Sequence, residues 1–280
     1  MNDKNNPENE CLPPNNTYPK GKLCMKPEWL RTNVNTGRKF PKTVSVLREL
    51  GLTTVCQGAY CPNKYRCWGS GTATFMILGT VCTRNCRFCT VPKGTPDHTD
   101  PTEPLRLATA VERLSLKYVV ITSVDRDDLD DKGAGHFASC VVEVRKTRAR
   151  VEILIPDYVG VDLETVVDSG PDVIGHNIEV VSRLTPEVRD LLASYEKSLC
   201  VLREVKRLDN RIKTKSSLML GIGETDEEVI DTMHDLRDAG VDMLTLGQYL
   251  RPSKNHIPVS RYVTPAEFSR FGKIAREMDF

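Results

Sequence analysis

Nowhere in the chain does an apolar run continue for the roughly 18 residues that a membrane span requires, and no apolar signal-peptide core follows the polar opening Met1 to Asn9. These absences predict a soluble, cytoplasmic protein with no membrane partner. Net charge is nearly absent too: 39 basic against 38 acidic residues leave a formal +1. No global field draws the molecule to nucleic acid, so whatever it binds is recognised locally. Large apolar residues are scarce from Met1 to Lys22, where Asn, Pro, Glu and Lys dominate. Such a segment cannot bury enough surface to offset the entropy of ordering, and residues 1–25 are expected to form a flexible arm. A disulfide framework is also excluded, because it belongs to short secreted chains. This chain has 280 residues, enough for one large domain or two modest ones, and six of its ten cysteines crowd between Cys56 and Cys89. That crowding favours metal ligation in a reducing compartment.

Three of the six form Cys82-Thr83-Arg84-Asn85-Cys86-Arg87-Phe88-Cys89, spaced Cys-x3-Cys-x2-Cys. The apolar run Phe75-Met76-Ile77-Leu78 and the pair Gly79-Thr80 precede them, so the thiols lie in a loop beyond the carboxyl end of an expected strand. Four cysteines complete an ordinary iron–sulfur cubane. A trio leaves one iron open to a small molecule.

The other three form a second triplet, Cys56, Cys61 and Cys67, spaced Cys-x4-Cys-x5-Cys. Gly58, Pro62, Asn63, Gly69 and Gly71 predict irregular loop for this segment. A structural zinc site usually has four ligands in two pairs, a pattern that two triplets fit poorly. Cys11 and Cys24 are expected to be free thiols without a role, and Cys140 and Cys200 to be small buried hydrophobes within helices.

Trp29, Leu30, Val44, Val46, Leu47, Leu50 and Leu52, with Pro41 placed to open a helix, predict a short helical segment leading into the second triplet. Beyond Cys89, strand-like and helix-like segments alternate. Strands are expected at Phe75 to Leu78, Tyr118 to Thr122, Val151 to Ile155, Asp172 to His176, Lys215 to Leu220 and Met243 to Leu246. Helices are expected from near Pro104, from Phe137 to Lys146, from Leu163 to Val167, and as one long helix from Thr185 to about Leu208. A further helix opens with the capping box Thr225 to Glu228 and stops at Gly240. Six continuous apolar strands joined by helices imply a parallel sheet covered by helices, an α/β fold. A closed eight-unit barrel needs about 250 residues. The expected fold is therefore a partial (β/α)6 barrel of the TIM type over residues 73–280, with a carboxyl-terminal helix and an N-terminal cluster-binding extension over residues 26–72.

In barrels of this kind the carboxyl ends of the strands form the active face. Those ends carry Thr122-Ser123-Val124-Asp125-Arg126-Asp127-Asp128, His176-Asn177-Ile178-Glu179, Gly221-Ile222-Gly223-Glu224 and Gly247-Gln248-Tyr249-Leu250-Arg251. A charge run in a loop is usually solvated surface, but the position of Asp125 to Asp128 after a strand favours ligand contact. Glycines at 221 and 223 permit a tight turn or a close approach of backbone amides to a carboxylate or ribose. His176 reads equally as a satisfied core histidine. The basic groups Arg145, Lys146, Arg148, Arg150, Arg203, Lys206, Arg207 and Arg211 fall near expected helix ends, where the helix dipole accounts for them. A docking surface for an acidic partner is the alternative.

An open iron at the mouth of a partial barrel can chelate the amino and carboxylate groups of S-adenosylmethionine, whose reductive cleavage yields a 5′-deoxyadenosyl radical. Cys82, Cys86 and Cys89, with Phe88 before the last cysteine, resemble the triplet of the radical S-adenosylmethionine superfamily. More narrowly, the chain from about Lys26 to Phe280 resembles the lipoyl synthase family. The matching words are Lys26-Pro27-Glu28-Trp29-Leu30-Arg31, Thr54-Val55-Cys56 through Cys67-Trp68, Thr122 to Leu129, His176 to Glu179, Gly221 to Thr225 and Gly247 to Ser253.

The resemblance implies two 4Fe-4S clusters, one on Cys82, Cys86 and Cys89 and an auxiliary one on Cys56, Cys61 and Cys67 that is itself the sulfur source. It implies two S-adenosylmethionine molecules per product and sulfur insertion at carbons six and eight of an octanoyl chain on a carrier-protein lysine. Phe88, Ser123, Asp125, Asn177 and Glu179 are the positions expected to contact S-adenosylmethionine, and no residue is expected to act as a catalytic acid or base. The expected partners are an octanoylated lipoyl-carrier protein or domain, an electron donor and an iron–sulfur carrier protein. In the family the auxiliary cluster takes its fourth ligand from a serine in an Arg-Ser-Ser segment. The sequence ends at Glu277-Met278-Asp279-Phe280 ahead of such a segment, and Ser253, Ser260 and Ser269 belong to other contexts, so no residue here is given that role. Competing readings are a relative that cleaves S-adenosylmethionine without inserting sulfur, another radical enzyme, and a non-catalytic metal-binding protein.

Overall fold

The computed structural model describes residues 26–31, 39–58, 61, 63–70 and 72–280. The expected arm over residues 1–25, with Cys11 and Cys24, lies outside the described residues. Helix α1 (Lys39–Glu49) carries Pro41 in its first turn, where the missing proline N–H has no intrahelical partner to lose. It turns Val46 and Leu47 inward. The short strand β1 (Thr53–Thr54) and two short helices, α2 (Val55–Gly58) and α3 (Lys64–Ser70), follow.

Six strands then alternate with helices. They are β2 (Thr74–Ile77), β3 (Tyr118–Ser123), β4 (Arg150–Leu154), β5 (Val173–Gly175), β6 (Lys213–Leu220) and β7 (Met243–Gln248). The helices between them are α4 (Glu103–Leu114), α5 (Ala134–Arg145), α6 (Val161–Asp168), α7 (Thr185–Val188), α8 (Tyr195–Leu208) and α9 (Asp226–Asp238), and α10 (Pro265–Glu277) closes the chain. The strands form one sheet in sequence order, β2 to β7 all parallel, and β7 pairs only with β6 among the described residues. The expected partial barrel of six βα units is thus present. The seventh strand, β1, lies antiparallel against β2 and was not anticipated; two threonines are too short a run to carry a strand period.

Register explains how the site is built. Phe75, Ile121, Ile153, Ile174 and Thr214 pair in succession across five strands and are all buried. The next row, Met76, Thr122 and Leu154, points to the opposite face because side chains alternate along a strand. All three of those residues line a cavity at the barrel mouth. The first core joins Val46, Leu47 and Trp68 of the extension to the packing of β2 to β5, and a second core gathers residues of α8, α9 and α10 around Leu218 and Leu220 of β6.

The expected continuous helix from Thr185 to Leu208 is broken. Arg189 is extended (φ −94°, ψ 169°), and α8 restarts at Tyr195 with Ser194 accepting the Lys197 N–H at 3.0 Å. The interruption lets Asp190 accept the Asn85 N–H at 2.8 Å, while its own N–H points to Cys86 Sγ at 3.4 Å. The capping box at Thr225 and Glu228 is formed as expected, and Thr264 and Glu267 form a second one.

Candidate active site

The first cysteine triplet leaves β2 through two successive residues of positive φ, Leu78 at 66° and Gly79 at 102°. The loop is then tied down along its length. The Cys82 N–H donates to the Pro92 carbonyl at 2.8 Å, the Thr83 N–H to the Asp125 carbonyl at 3.2 Å, and the Arg87 N–H to the Val188 carbonyl at 2.9 Å. Buried Arg84 is enclosed by Asp125, Asp127 and Asp157. Burial pushes the Cys82 thiol up to about 11, helped by the Asp125 charge, and burial does the same to Cys86. Thiols so placed stay protonated until a cation compensates the thiolate charge.

A cavity of about 430 Å³ opens beside these thiols. Cys82, Cys86 and Cys89 line it, and so do all five residues expected to contact S-adenosylmethionine: Phe88, Ser123, Asp125, Asn177 and Glu179. Glu179 is held at φ 67° between β5 and β6, its N–H on the Ser217 carbonyl at 3.0 Å and its carbonyl on the Met219 N–H at 2.8 Å. A non-glycine residue in that conformation at a cavity wall marks a place where packing imposes the backbone. Burial raises the Glu179 carboxyl despite the opposing Arg189 charge, and the Asn177 amide donates to Glu179 Oε1 at 3.2 Å.

Sequence reasoning missed Arg84, Asp157 and Arg189, which also line the cavity. Asp157 follows β4, so the strand-end rule already applied to the ends of β3, β5, β6 and β7 points to it as well. Burial alone would raise its carboxyl, but the His176 imidazole and Arg84 hold it well below the usual carboxylate range. His176 is both things the sequence left open. It is a buried residue satisfied by the Ile155 carbonyl at 2.9 Å and Ser198 Oγ at 3.0 Å, and it sits on the cavity wall 3.3 Å from Asp157 Oδ1.

The second triplet is not the irregular loop expected of it. Cys56 lies in α2 and Cys67 in α3, with Cys61 between them. Packing explains the helices: Phe40 of α1 meets Tyr65 and Trp68, each at 5.3 Å between ring centroids, so α3 has a buried face. The Cys67 thiol is raised by burial and next by the Cys56 and Cys61 thiols, and the Cys61 N–H donates to the Cys56 carbonyl at 3.3 Å. Thr90 Oγ1, one residue past Cys89, donates to the Gly58 carbonyl at 2.7 Å and joins the two cysteine segments.

Of the other expectations, Arg145, Lys206 and Arg207 do fall in the last turns of α5 and α8, whereas the expected burial of Cys200 is corrected. The amides of Gly221, Ile222 and Gly223 do form a nest, but the Glu224 carboxylate fills it at 2.6, 2.9 and 3.0 Å. Cys200 is exposed rather than buried. The basic groups near Arg145 and Arg207 sit at the end of the barrel opposite the cysteines, because α5 and α8 end there, and several are paired locally, as Lys146 with Glu143 and Arg207 with Glu204. Ser253 pairs with His256 Nδ1 at 2.8 Å, and Ser269 donates to the Pro265 carbonyl at 2.8 Å.

Solved structures share this fold. Methylornithine synthase superposes with a TM-score of 0.59 at 13% identity, over 84% of this chain and 73% of that one. The FeFe-hydrogenase maturase from Carboxydothermus hydrogenoformans gives 0.59 at 11% identity, over 85% and 63%. The model of the radical SAM superfamily matches residues 76–236, from β2 to α9, and that of the N-terminal domain of lipoyl synthase matches residues 1–61. The lipoyl synthase of Methanocella arvoryzae is 53% identical over 262 residues, covering 91% of this chain and 88% of its own length.

The chain belongs to the lipoyl synthase family. The Haemophilus influenzae lipoyl synthase is 50% identical over 275 residues, 96% of this chain and 86% of that protein. Membership makes the chain a sulfur-inserting enzyme that works with S-adenosylmethionine and two 4Fe-4S clusters. The residues present fit that set: one thiol trio on the wall of a polar-edged cavity, and a second trio, in which Cys67 lies near both Cys56 and Cys61, a short link away.

Proposed function

We propose that the chain converts a protein-bound octanoyl-lysine to the lipoyl group, with Cys82, Cys86 and Cys89 holding the cluster that binds S-adenosylmethionine and Cys56, Cys61 and Cys67 holding the auxiliary cluster. The observation that carries this division is a cavity whose lining includes Cys82, Cys86 and Cys89 and none of Cys56, Cys61 and Cys67. When bound, the cofactors supply an electron, a carbon-centred radical that takes hydrogen from an aliphatic carbon, and sulfide. The protein's own side chains bind, orient and shield. Glu179 and Asn177 would accept hydrogen bonds from and donate them to the polar groups of S-adenosylmethionine, Ser123 at the end of β3 and Asp125 just beyond it would flank it, and Phe88 would cover an apolar edge. Met76, Leu154 and Met219 give the octanoyl chain an apolar wall. No acid or base is required at the reacting carbon, because a hydrogen atom rather than a proton leaves it.

The extension over residues 26–72 and the barrel over residues 73–280 then divide the labour, the first supplying sulfur and the second the radical. The substrate-bearing partner is an octanoylated lipoyl-carrier protein or domain. An electron donor and an iron–sulfur carrier serve the clusters, and the work is cytoplasmic. No helix among the described residues is long and apolar enough to cross a membrane.

Anaerobic reconstitution tests the reading. Two clusters give roughly eight irons per chain, and incubation with reductant, S-adenosylmethionine and an octanoyl-lysyl peptide yields 5′-deoxyadenosine together with a dithiolated peptide. Deoxyadenosine with no thiolated peptide contradicts the proposal.

A further inference from the structure

β2 gives way to a leucine in a conformation that leucine rarely takes. Leu78 has φ 66° and is 2% exposed, so neither a missing side chain nor solvent relieves the turn. Three other segments hold it there. Its N–H donates to Glu103 Oε2 at 3.0 Å, and its carbonyl accepts from Arg126 Nη1 at 3.2 Å. Its side chain occupies the space that a Cβ on Gly133 would need, 2.6 Å from Leu78 Cδ1. Each holding group is itself fixed. Glu103 opens α4, and its Oε2 lies 2.7 Å from His136 Nε2 on α5, both side chains 12% exposed. Arg126 forks onto Asp128 with two bonds of 2.8 Å. Cys82 comes only four residues after Leu78, and none of Glu103, His136 and Arg126 reaches the cavity wall.

We infer that Glu103, seated by His136, is a positioning residue for the first cysteine triplet: its carboxylate holds Leu78 in the left-handed conformation and so sets the direction in which the chain from Gly79 to Cys89 leaves β2. A charged acceptor on a buried N–H is stronger than a neutral one, and its loss strands the donor. The turn then relaxes toward ordinary backbone and swings the loop off its course. The inference rests on the function proposed above only for what that loop goes on to hold.

Glu103, His136 and Cys140 also bring one ligand atom each to within 4.8 Å of one another. A cation is not needed to explain the arrangement. At 2.7 Å, Glu103 Oε2 and His136 Nε2 are closer than two ligands of one tetrahedral ion, which bonds of about 2.0 Å hold roughly 3.3 Å apart. Oε2 is already satisfied by Leu78, and Cys140 is fully buried.

The test uses the full chain as wild type, Glu103→Ala, Glu103→Gln, His136→Ala and Leu107→Ala, the last a control that loosens α4 from the core. Amide hydrogen exchange is followed across residues 78–84 before cluster loading. After loading, the change that S-adenosylmethionine causes in the electron paramagnetic resonance spectrum of the reduced cluster is titrated. Glu103→Ala speeds exchange at Leu78 to Cys82 and weakens S-adenosylmethionine binding by about tenfold or more, the usual size for a residue that orients a ligand. Glu103→Gln, which keeps an oxygen acceptor, restores most of both. His136→Ala moves both in the same direction by less, and carries the test if Glu103→Ala does not fold. Leu107→Ala lowers Tm and leaves both readouts alone. Exchange and binding within about twofold of wild type in Glu103→Ala, or changes no larger than in Leu107→Ala, overturn the inference, as does zinc that copurifies with the chain and is lost with His136. A wild-type chain without an S-adenosylmethionine-dependent spectrum refutes the function proposed above, while the exchange comparison still decides for or against Glu103.

Discussion

Arg84 and Asp127 are joined by two parallel hydrogen bonds, Nε to Oδ2 and Nη2 to Oδ1, each 3.0 Å long. The same guanidinium pairs with Asp157 and lies 3.4 Å from Asp125 Oδ1, so one arginine, 6% exposed, gathers carboxylates from the segments after β3 and β4 beneath the cysteine loop. Replacing it by an apolar residue takes that cation from buried Asp157 and half-buried Asp125 and Asp127, and leaves Asp157 with Arg189 Nη2 at 3.9 Å. Arg84→Met is expected to cost about 3–5 kcal/mol in denaturant unfolding, the usual penalty for breaking a buried pair from one side. Arg84→Lys keeps the charge but cannot fork, and should fall between Met and wild type.

Asn177 and Glu179 face the cavity as a bonded pair. Asn177→Ala and Glu179→Gln are expected to weaken S-adenosylmethionine binding about tenfold, while iron content after reconstitution and Tm stay close to wild type. Equilibrium binding to the loaded protein measures this. Unchanged affinity in both variants would remove the pair from the cofactor site.

Much of this site was legible because its chemistry is local in sequence. Cys82, Cys86 and Cys89 fall within eight residues, and a strand end announces itself by an apolar run that stops, as at Ile121-Thr122-Ser123. Asp157 and Arg189 escaped because their roles depend on distant partners: Asp157 meets Arg84 across 73 residues, and Arg189 reaches the cavity wall only because the helix after Thr185 breaks. The break was hidden because Leu191 and Leu192 continue an apolar pattern, yet both are exposed. The helices carrying Cys56 and Cys67 were missed for a related reason. Gly58, Gly69 and the neighbouring Pro62 argue for loop, and in α3 the packing of Phe40 on Tyr65 and Trp68 overrides that local preference.

Far from the cavity, Asp242 ties the start of β6 to the end of α8. It accepts from Lys206 at 2.6 Å, Lys213 at 2.9 Å and the Thr214 N–H at 2.8 Å. Burial works against the charge, but Lys206 and the Thr214 amide hold the carboxyl well below the usual range. A depressed folded pKa stabilises above the unfolded value, about 3.9, and that contribution fades as pH falls toward the folded one. Asp242→Asn should therefore lower stability by about 1–3 kcal/mol at neutral pH. The gap to wild type should close progressively below about pH 4, as unfolding curves at both pH values would show.

The central claim is that the two cysteine triplets separate making the radical from supplying the sulfur, and the most direct measurement is the product spectrum of Cys61→Ala. Loaded anaerobically and given reductant, S-adenosylmethionine and an octanoyl-lysyl peptide, this variant is expected to form 5′-deoxyadenosine at a rate close to wild type. Mass spectrometry should find no sulfur on the peptide, and Cys86→Ala should form neither product. Thiolated peptide from Cys61→Ala, or deoxyadenosine from Cys86→Ala, would contradict the division.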